Sequence, residues 1–302
     1  AAPSVAAAQQ APAQPAQPGP IAAQYRQRAH SLINRALGDS SAWRRLTVLV
    51  DRFGHRFSGS QSLESAIDWI LAEMRKDGLD NVRGEPVMVP HWVRGAESAE
   101  MVAPRRQDLP MLGLGGSIAT PPEGITAEVL VVGSFDELAR RAAEARGKIV
   151  VYDVPFTTYG ETVRFRTNGA IEAAKAGAVA SLIRSVTPFS MKTPHTGSMR
   201  YDSAVTRIPH AAITVEDAMM LHRLQEQGVR PRVTLKMSAR THPDAPSRNI
   251  VAEIPGRERP GEVVVLGGHI DSWDVAQRAM DDAGGVVAAW EAVRLMKELG
   301  LR

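Results

Sequence analysis

From residue 125 to 240 the chain alternates short apolar runs with segments of helical period, and that alternation restricts it to an α/β fold. "ITAEVLVVG", "GKIVVYD" and "AVASLIRS" read as strands, and "TNGAIEAAKAG" as a short helix closed by Gly177. "HAAITV" leads into a helix from Val215, with Thr214 and Asp217 as its capping pair and Gly228 as its stop. "RVTLKMS" alternates like a half-buried strand. His195 and His210 stand alone in this stretch and read as loop or core histidines rather than ligands.

Before this stretch the texture is helical. Residues 1–20 are uncharged and almost all Ala, Pro and Gln, which predicts a disordered tail. The small-residue start resembles the mature end left by a signal-peptide cut and predicts an exported protein; a trimmed start is the plainer alternative. Apolar residues from Ile21 to Ala36 recur at helical spacing, and a second helix is expected from Ser40 or Ser41 to Gly54. In the third, Leu63, Ala66, Ile67, Ile70, Leu71 and Met74 form one stripe, with Ser60 as cap and Gly78 as stop. "PVMVPHWV" reads as extended. "LPMLGLGGS" is a glycine-rich turn without the strand-to-helix context of a phosphate loop.

After residue 240, "PSRNIVAEIPG" and "GEVVVLGGH" are strand candidates. The second is a near-continuous apolar run, which predicts a central strand buried on both faces. Its carboxyl end, at Gly267-Gly268-His269, is where ligands sit in open α/β sheets. "GGHIDSWDVAQRAMDD" then gathers His269, Asp271, Asp281 and Asp282 ahead of a buried helix, "GGVVAAWEAVRLMKELG". Neutral imidazole and carboxylate oxygens suit zinc and related divalent ions. An aspartate two residues beyond a ligating histidine can orient its ring, and a carboxylate in the next loop can bridge two metals. The bland alternative is a solvated acidic turn in which Asp281 and Asp282 cap the helix.

Composition narrows the function classes. The 302 residues carry a net charge of +3 with no basic stripe interleaved with aromatics, which argues against nucleic acid. The absence of cysteine removes disulfides, thiolate ligands and a cysteine nucleophile. No apolar run reaches the roughly 18 residues of a membrane span.

The acidic stretch resembles the signature of the co-catalytic zinc peptidase family that holds the glutamate carboxypeptidases and many bacterial aminopeptidases. "DRFGHRFSGSQSLESAIDWILAEMRKDGLDNVR", "EPVMVPHWVRG", "LPMLGLGGS", "NGAIEAAKAGAVASLIRSVTPFSMKTPHTG" and "GGHIDSWDV" extend the likeness across roughly residues 40–302, to the carboxypeptidase Q subgroup. The resemblance implies an α/β fold: a zinc-peptidase sheet domain, incomplete here, interrupted by an inserted protease-associated domain. The expected division is a tail at 1–20, the first part of the peptidase domain at 21–119, the protease-associated domain at 120–240, and the start of the zinc-peptidase core at 241–302. Carried over by position, His269 is a zinc ligand, Asp281 the carboxylate bridging a pair of zinc ions, and Asp271 the residue orienting His269. Asp282 receives no ligand role.

The family's general base and remaining ligands have no counterpart in this chain, since only Glu291 and Glu298 follow Asp282 as carboxylates and no histidine does. On this resemblance the chain is expected to be a C-terminally truncated, inactive fragment. The family also usually has glycine where this chain has Ala276, Arg278 and Ala283. The implied function is a metallopeptidase of dipeptidase or carboxypeptidase type, homodimeric when complete, hydrolysing short peptides with a di-zinc-activated water. The rivals are an aminopeptidase of the same family and a non-catalytic protein that binds peptides or partners through the protease-associated domain.

Overall fold

The computed structural model describes residues 19–189 and 191–301. The tail expected at 1–20 lies outside the described residues as far as residue 18, and Pro20 opens the first helix. Helices α1 (Pro20–Leu37), α2 (Ser41–Phe53) and α3 (Gln61–Lys76) lead into a long ribbon, in which β1 (Asp80–Val93) pairs antiparallel with β10 (Arg240–Glu253). α3 forms where the apolar stripe predicts it, and the Ser60 hydroxyl accepts the Leu63 N–H at its first turn.

Everything between the ribbon strands builds one eight-stranded sheet. Its strands are β2 (Glu97–Ala103), β3 (Gln107–Asp108), β4 (Met111–Gly113), β5 (Ile125–Val132), β6 (Ile149–Tyr152), β7 (Ala180–Arg184), β8 (His210–Ile213) and β9 (Arg232–Met237). They run in the order β3-β2-β9-β5-β6-β7-β8-β4, with β5 to β8 parallel and the flanking pairs antiparallel. Side chains alternate along β5: Val129 and Val131 enter a core with Leu221 of α7 (Val215–Glu226), while Leu130 and Val132 enter another with Leu138 of α4 (Phe135–Arg140) and Phe165 of α6 (Tyr159–Lys175). A short helix, α5 (Ala142–Ala145), adds Ala145 to the second core. Helices thus cover both faces, as a parallel sheet requires. The Thr214 hydroxyl caps α7 by accepting the Asp217 N–H at 3.0 Å.

The sheet starts at Glu97, so the boundary expected at 119/120 runs through it. β2 pairs with β9, as Glu97 with Met237, and β4 with β8, as Met111 with Ile213, distant partners that the local pattern of 97–113 does not announce.

A third core joins the chain's two ends. Leu49 and Val50 of α2, Ala66, Ile70 and Met74 of α3, and Val287 and Trp290 of α8 (Gly284–Glu298) pack with Ile250 and Ile270. Trp290 stands edge-on to Trp69 at 5.9 Å and donates its ring N–H to Asp77 at 2.8 Å.

One expectation fails in this region. "GEVVVLGGH" forms no strand, and Val263, Val264 and Val265 are 79%, 87% and 84% exposed rather than buried on both faces. Among the described residues no strand lies beside this run, so an apolar sequence suited to a sheet interior has no sheet to enter.

Candidate metal centre

The loop from 267 to 283 is held in place by Arg56, a fully buried side chain. Its Nε donates to the Ile270 carbonyl at 2.9 Å, Nη1 to Gly54 at 2.6 Å and Nη2 to Arg278 at 3.3 Å, so one guanidinium fastens both limbs of the loop. The backbones join as well: Arg56 N–H donates to Ser272 Oγ and Ser272 N–H to the Arg56 carbonyl, each at 2.9 Å. Trp273 leans on Phe57, ring centres 5.2 Å apart.

On this scaffold the imidazole of His269 lies between two carboxylates. Nε2 is 3.0 Å from Asp281 Oδ1, and Nδ1 is 3.2 Å from Asp271 Oδ1 and 3.0 Å from the Asp271 carbonyl. Burial pulls the His269 pKa down, but the Asp271 carbonyl and the two carboxylates outweigh it and the net shift is upward. Asp282 turns away: its Oδ2 accepts the His269 N–H at 3.1 Å and its Oδ1 the Gly285 N–H at 3.2 Å, so it ties the loop to the first turn of α8. The Asp281–Asp282 peptide is cis.

Two of the three positions where glycine was expected bend into the left-handed region, Ala276 at φ 73° and Arg278 at φ 52°; Ala283 is buried in the turn leading into α8. Arg278 does not compete for Asp281. Its Nε donates to the Val275 carbonyl at 3.1 Å, and among the described residues it enters no ion pair.

The arrangement suits a divalent ion in part. Two donors on a tetrahedral zinc with bonds of about 2.0–2.1 Å sit roughly 3.3 Å apart. The Nε2–Oδ1 pair at 3.0 Å needs only a few tenths of an ångström to open to that spacing. Asp271 lies on the other ring nitrogen, where it fixes the tautomer instead of adding a donor. Among the described residues no third His, Cys, Asp or Glu joins the pair.

His269, Asp271 and Asp281 line a cavity of about 400 Å³ from one side, and Tyr159 and Arg166 of α6 with the loop residue His195 line it from the inserted lobe. His195 lies in a loop, one of the two settings expected of it, and lines the same cavity. Burial and the Arg166 and Arg278 charges lower its pKa, against the Asp281 charge that raises it. Neither it nor Arg166 carries a local sequence signal, because they reach the cavity only through the sheet's docking. His210 is fully buried in the inserted sheet, with Nδ1 2.7 Å from Ser181 Oγ.

Comparisons with known proteins bear on the family and the fold. The profile of peptidase family M28 matches residues 249–301. Human carboxypeptidase Q is 55% identical over 277 residues, which cover 91% of this chain and 59% of that protein. A peptidase M28 precursor from Shewanella amazonensis SB2B superposes with a TM-score of 0.87 at 33% identity, covering 91% of this chain and 64% of that one. A zinc aminopeptidase from Bacillus subtilis shares the fold, with a TM-score of 0.59 at 24% identity over 85% of this chain and 57% of that one. The chain spans about 60% of the length of the curated relatives it matches.

Proposed function

The chain belongs to peptidase family M28, and from that premise we propose that it contributes part of the active site of a metallopeptidase of dipeptidase or carboxypeptidase type, with short peptides as substrates. The observation that carries this reading is the pairing of His269 Nε2 with Asp281 Oδ1 at 3.0 Å on the wall of the cavity. His269 and Asp281 would hold zinc, Asp281 as the carboxylate shared by a pair of ions, and Asp271 would orient the imidazole from its far nitrogen. Bound zinc would supply an acidified water and polarise the scissile carbonyl.

The chain's own residues hold these donors in place. Arg56 keeps the donor loop in place, Asp282 fixes the His269 backbone, and the inserted lobe, read as a protease-associated domain, closes the cavity's far side. Homodimerisation belongs to the same proposal and rests on the family resemblance. Among the described residues no helix is long and apolar enough to cross a membrane.

The test is a zinc titration of the purified chain against a chromogenic chelator. Wild type should take up zinc, and His269→Ala and Asp281→Asn should each weaken uptake about tenfold or more. Equal uptake by all three would remove these residues from the centre.

A further inference from the structure

Arg94 joins three parts of the molecule at one buried side chain. It comes directly after β1, where the ribbon gives way to the eight-stranded sheet, and is 7% exposed. Its Nε and Nη2 grip the Asp274 carboxylate at 2.8 and 2.7 Å. Nη1 donates to the Gly113 carbonyl at the end of β4, with Glu97 3.6 Å away. Nη2 also reaches Thr196 Oγ1 at 3.4 Å, and that hydroxyl donates to the same Gly113 carbonyl at 3.3 Å. The Trp92 ring centre lies 5.2 Å from the guanidinium.

These contacts have a direction. Asp274 belongs to the loop that carries Asp271 and Asp281, whereas Thr196 adjoins His195 on the opposite wall of the cavity. Trp273, beside Asp274, is pressed so tightly on Gly115 that a Cβ there would overlap its indole. A two-point guanidinium–carboxylate pair fixes orientation as well as distance, which a lysine's point charge does not.

We propose that Arg94 is a positioning residue that holds the two walls of the cavity, one from the ribbon core and one from the inserted sheet, in a single register through Asp274 and Thr196. The chemistry this register serves rests on the metallopeptidase reading; the coupling of the walls does not.

Two readouts keep these apart. Wild type, Arg94→Gln, Arg94→Lys and Asp274→Asn are compared by hydrogen exchange resolved to segments, and by zinc affinity in chelator competition. Exchange in 269–282 and in 195–199 should accelerate together, about tenfold or more, in Arg94→Gln and Asp274→Asn, with exchange in β6 and β7 unchanged. Arg94→Lys, which keeps the charge and loses the fork, should fall between. Zinc affinity should drop about tenfold in the first two variants, as for other partners that orient a metal site. Unchanged exchange in both segments, acceleration in one only, or a uniform rise across the molecule would each overturn the proposal. If Arg94→Gln does not fold, Asp274→Asn decides, since it leaves the Gly113 and Thr196 bonds in place. A wild type that takes up no zinc would refute the metal reading, and the exchange pattern would still judge Arg94.

Discussion

Arg56→Met is the most informative single change in the core. The wild-type guanidinium is fully buried, and burial lowers its pKa while the Asp271 charge raises it only in part. Its stabilisation comes from three carbonyls, at 2.6, 2.9 and 3.3 Å. Methionine fills similar space but leaves those carbonyls without a donor. At about 1–3 kcal/mol for each of the three buried unsatisfied groups, the loss is roughly 3–9 kcal/mol. Removing a buried cation returns desolvation free energy, which offsets part of that loss. We expect a net destabilisation of about 3 kcal/mol, or a fall in melting temperature of roughly 6–12 °C for a chain of this size. Urea unfolding followed by tryptophan fluorescence should show a lower midpoint at an unchanged slope. A variant as stable as wild type would mean that the buried charge costs as much as its bonds return, and that the loop does not depend on Arg56.

Other outcomes can be checked on the same preparation. Burial pushes the His210 pKa down to about 4, below its ordinary 6.5, so the neutral ring is favoured on folding. The corresponding stability is complete above pH 6.5 and is lost as pH falls towards 4, about 2 kcal/mol between pH 7 and 5. His210→Gln should flatten that slope, and a slope unchanged by the substitution would exclude His210 as its source. Ala276 sits at φ 73°, so Ala276→Gly should stabilise by about 0.5 kcal/mol, the relief of left-handed strain less glycine's entropy, while Ala276→Val should destabilise. If thermal melts put the valine variant at or above the glycine one, the loop is not held in that conformation. Finally, the purified chain with zinc should not cleave dipeptides, because among the described residues the two donors fall short of the usual three. Robust turnover abolished by His269→Ala would show that the donor set is larger than the one described.

Much of this architecture is readable from local pattern. The stripe from Leu63 to Met74 and the Thr214–Asp217 cap appear as expected, because helices and caps are decided within a few residues. The helix at "TNGAIEAAKAG" begins earlier, at Tyr159, since the Thr158 hydroxyl caps it by accepting the Glu161 N–H and "ETVRFR" has a helical period of its own. Non-local pairing is not readable in this way. β4 lies in a stretch that reads as a glycine-rich turn, and it is an edge strand only because β8 lies alongside it. Val263 to Val265 announce burial that depends entirely on neighbours. At the candidate centre the sequence offers His269, Asp271 and Asp281 because they lie close along the chain. Tyr159, Arg166 and His195 meet them only across a lobe boundary, and no spacing encodes that encounter.

The crossing between ribbon and sheet has one more consequence. The chain leaves the ribbon at Arg94 and re-enters at Arg240, and between these points Ala96 N–H donates to Ser238 Oγ at 2.7 Å and Ser238 N–H to the Ala96 carbonyl at 3.0 Å. Exit and return are therefore hydrogen-bonded neighbours, and the whole eight-stranded unit is a cassette with adjoining ends. Such a cassette can be exchanged between scaffolds, or replaced by a two-residue turn that converts β1 and β10 into an ordinary hairpin, without rethreading the rest of the chain.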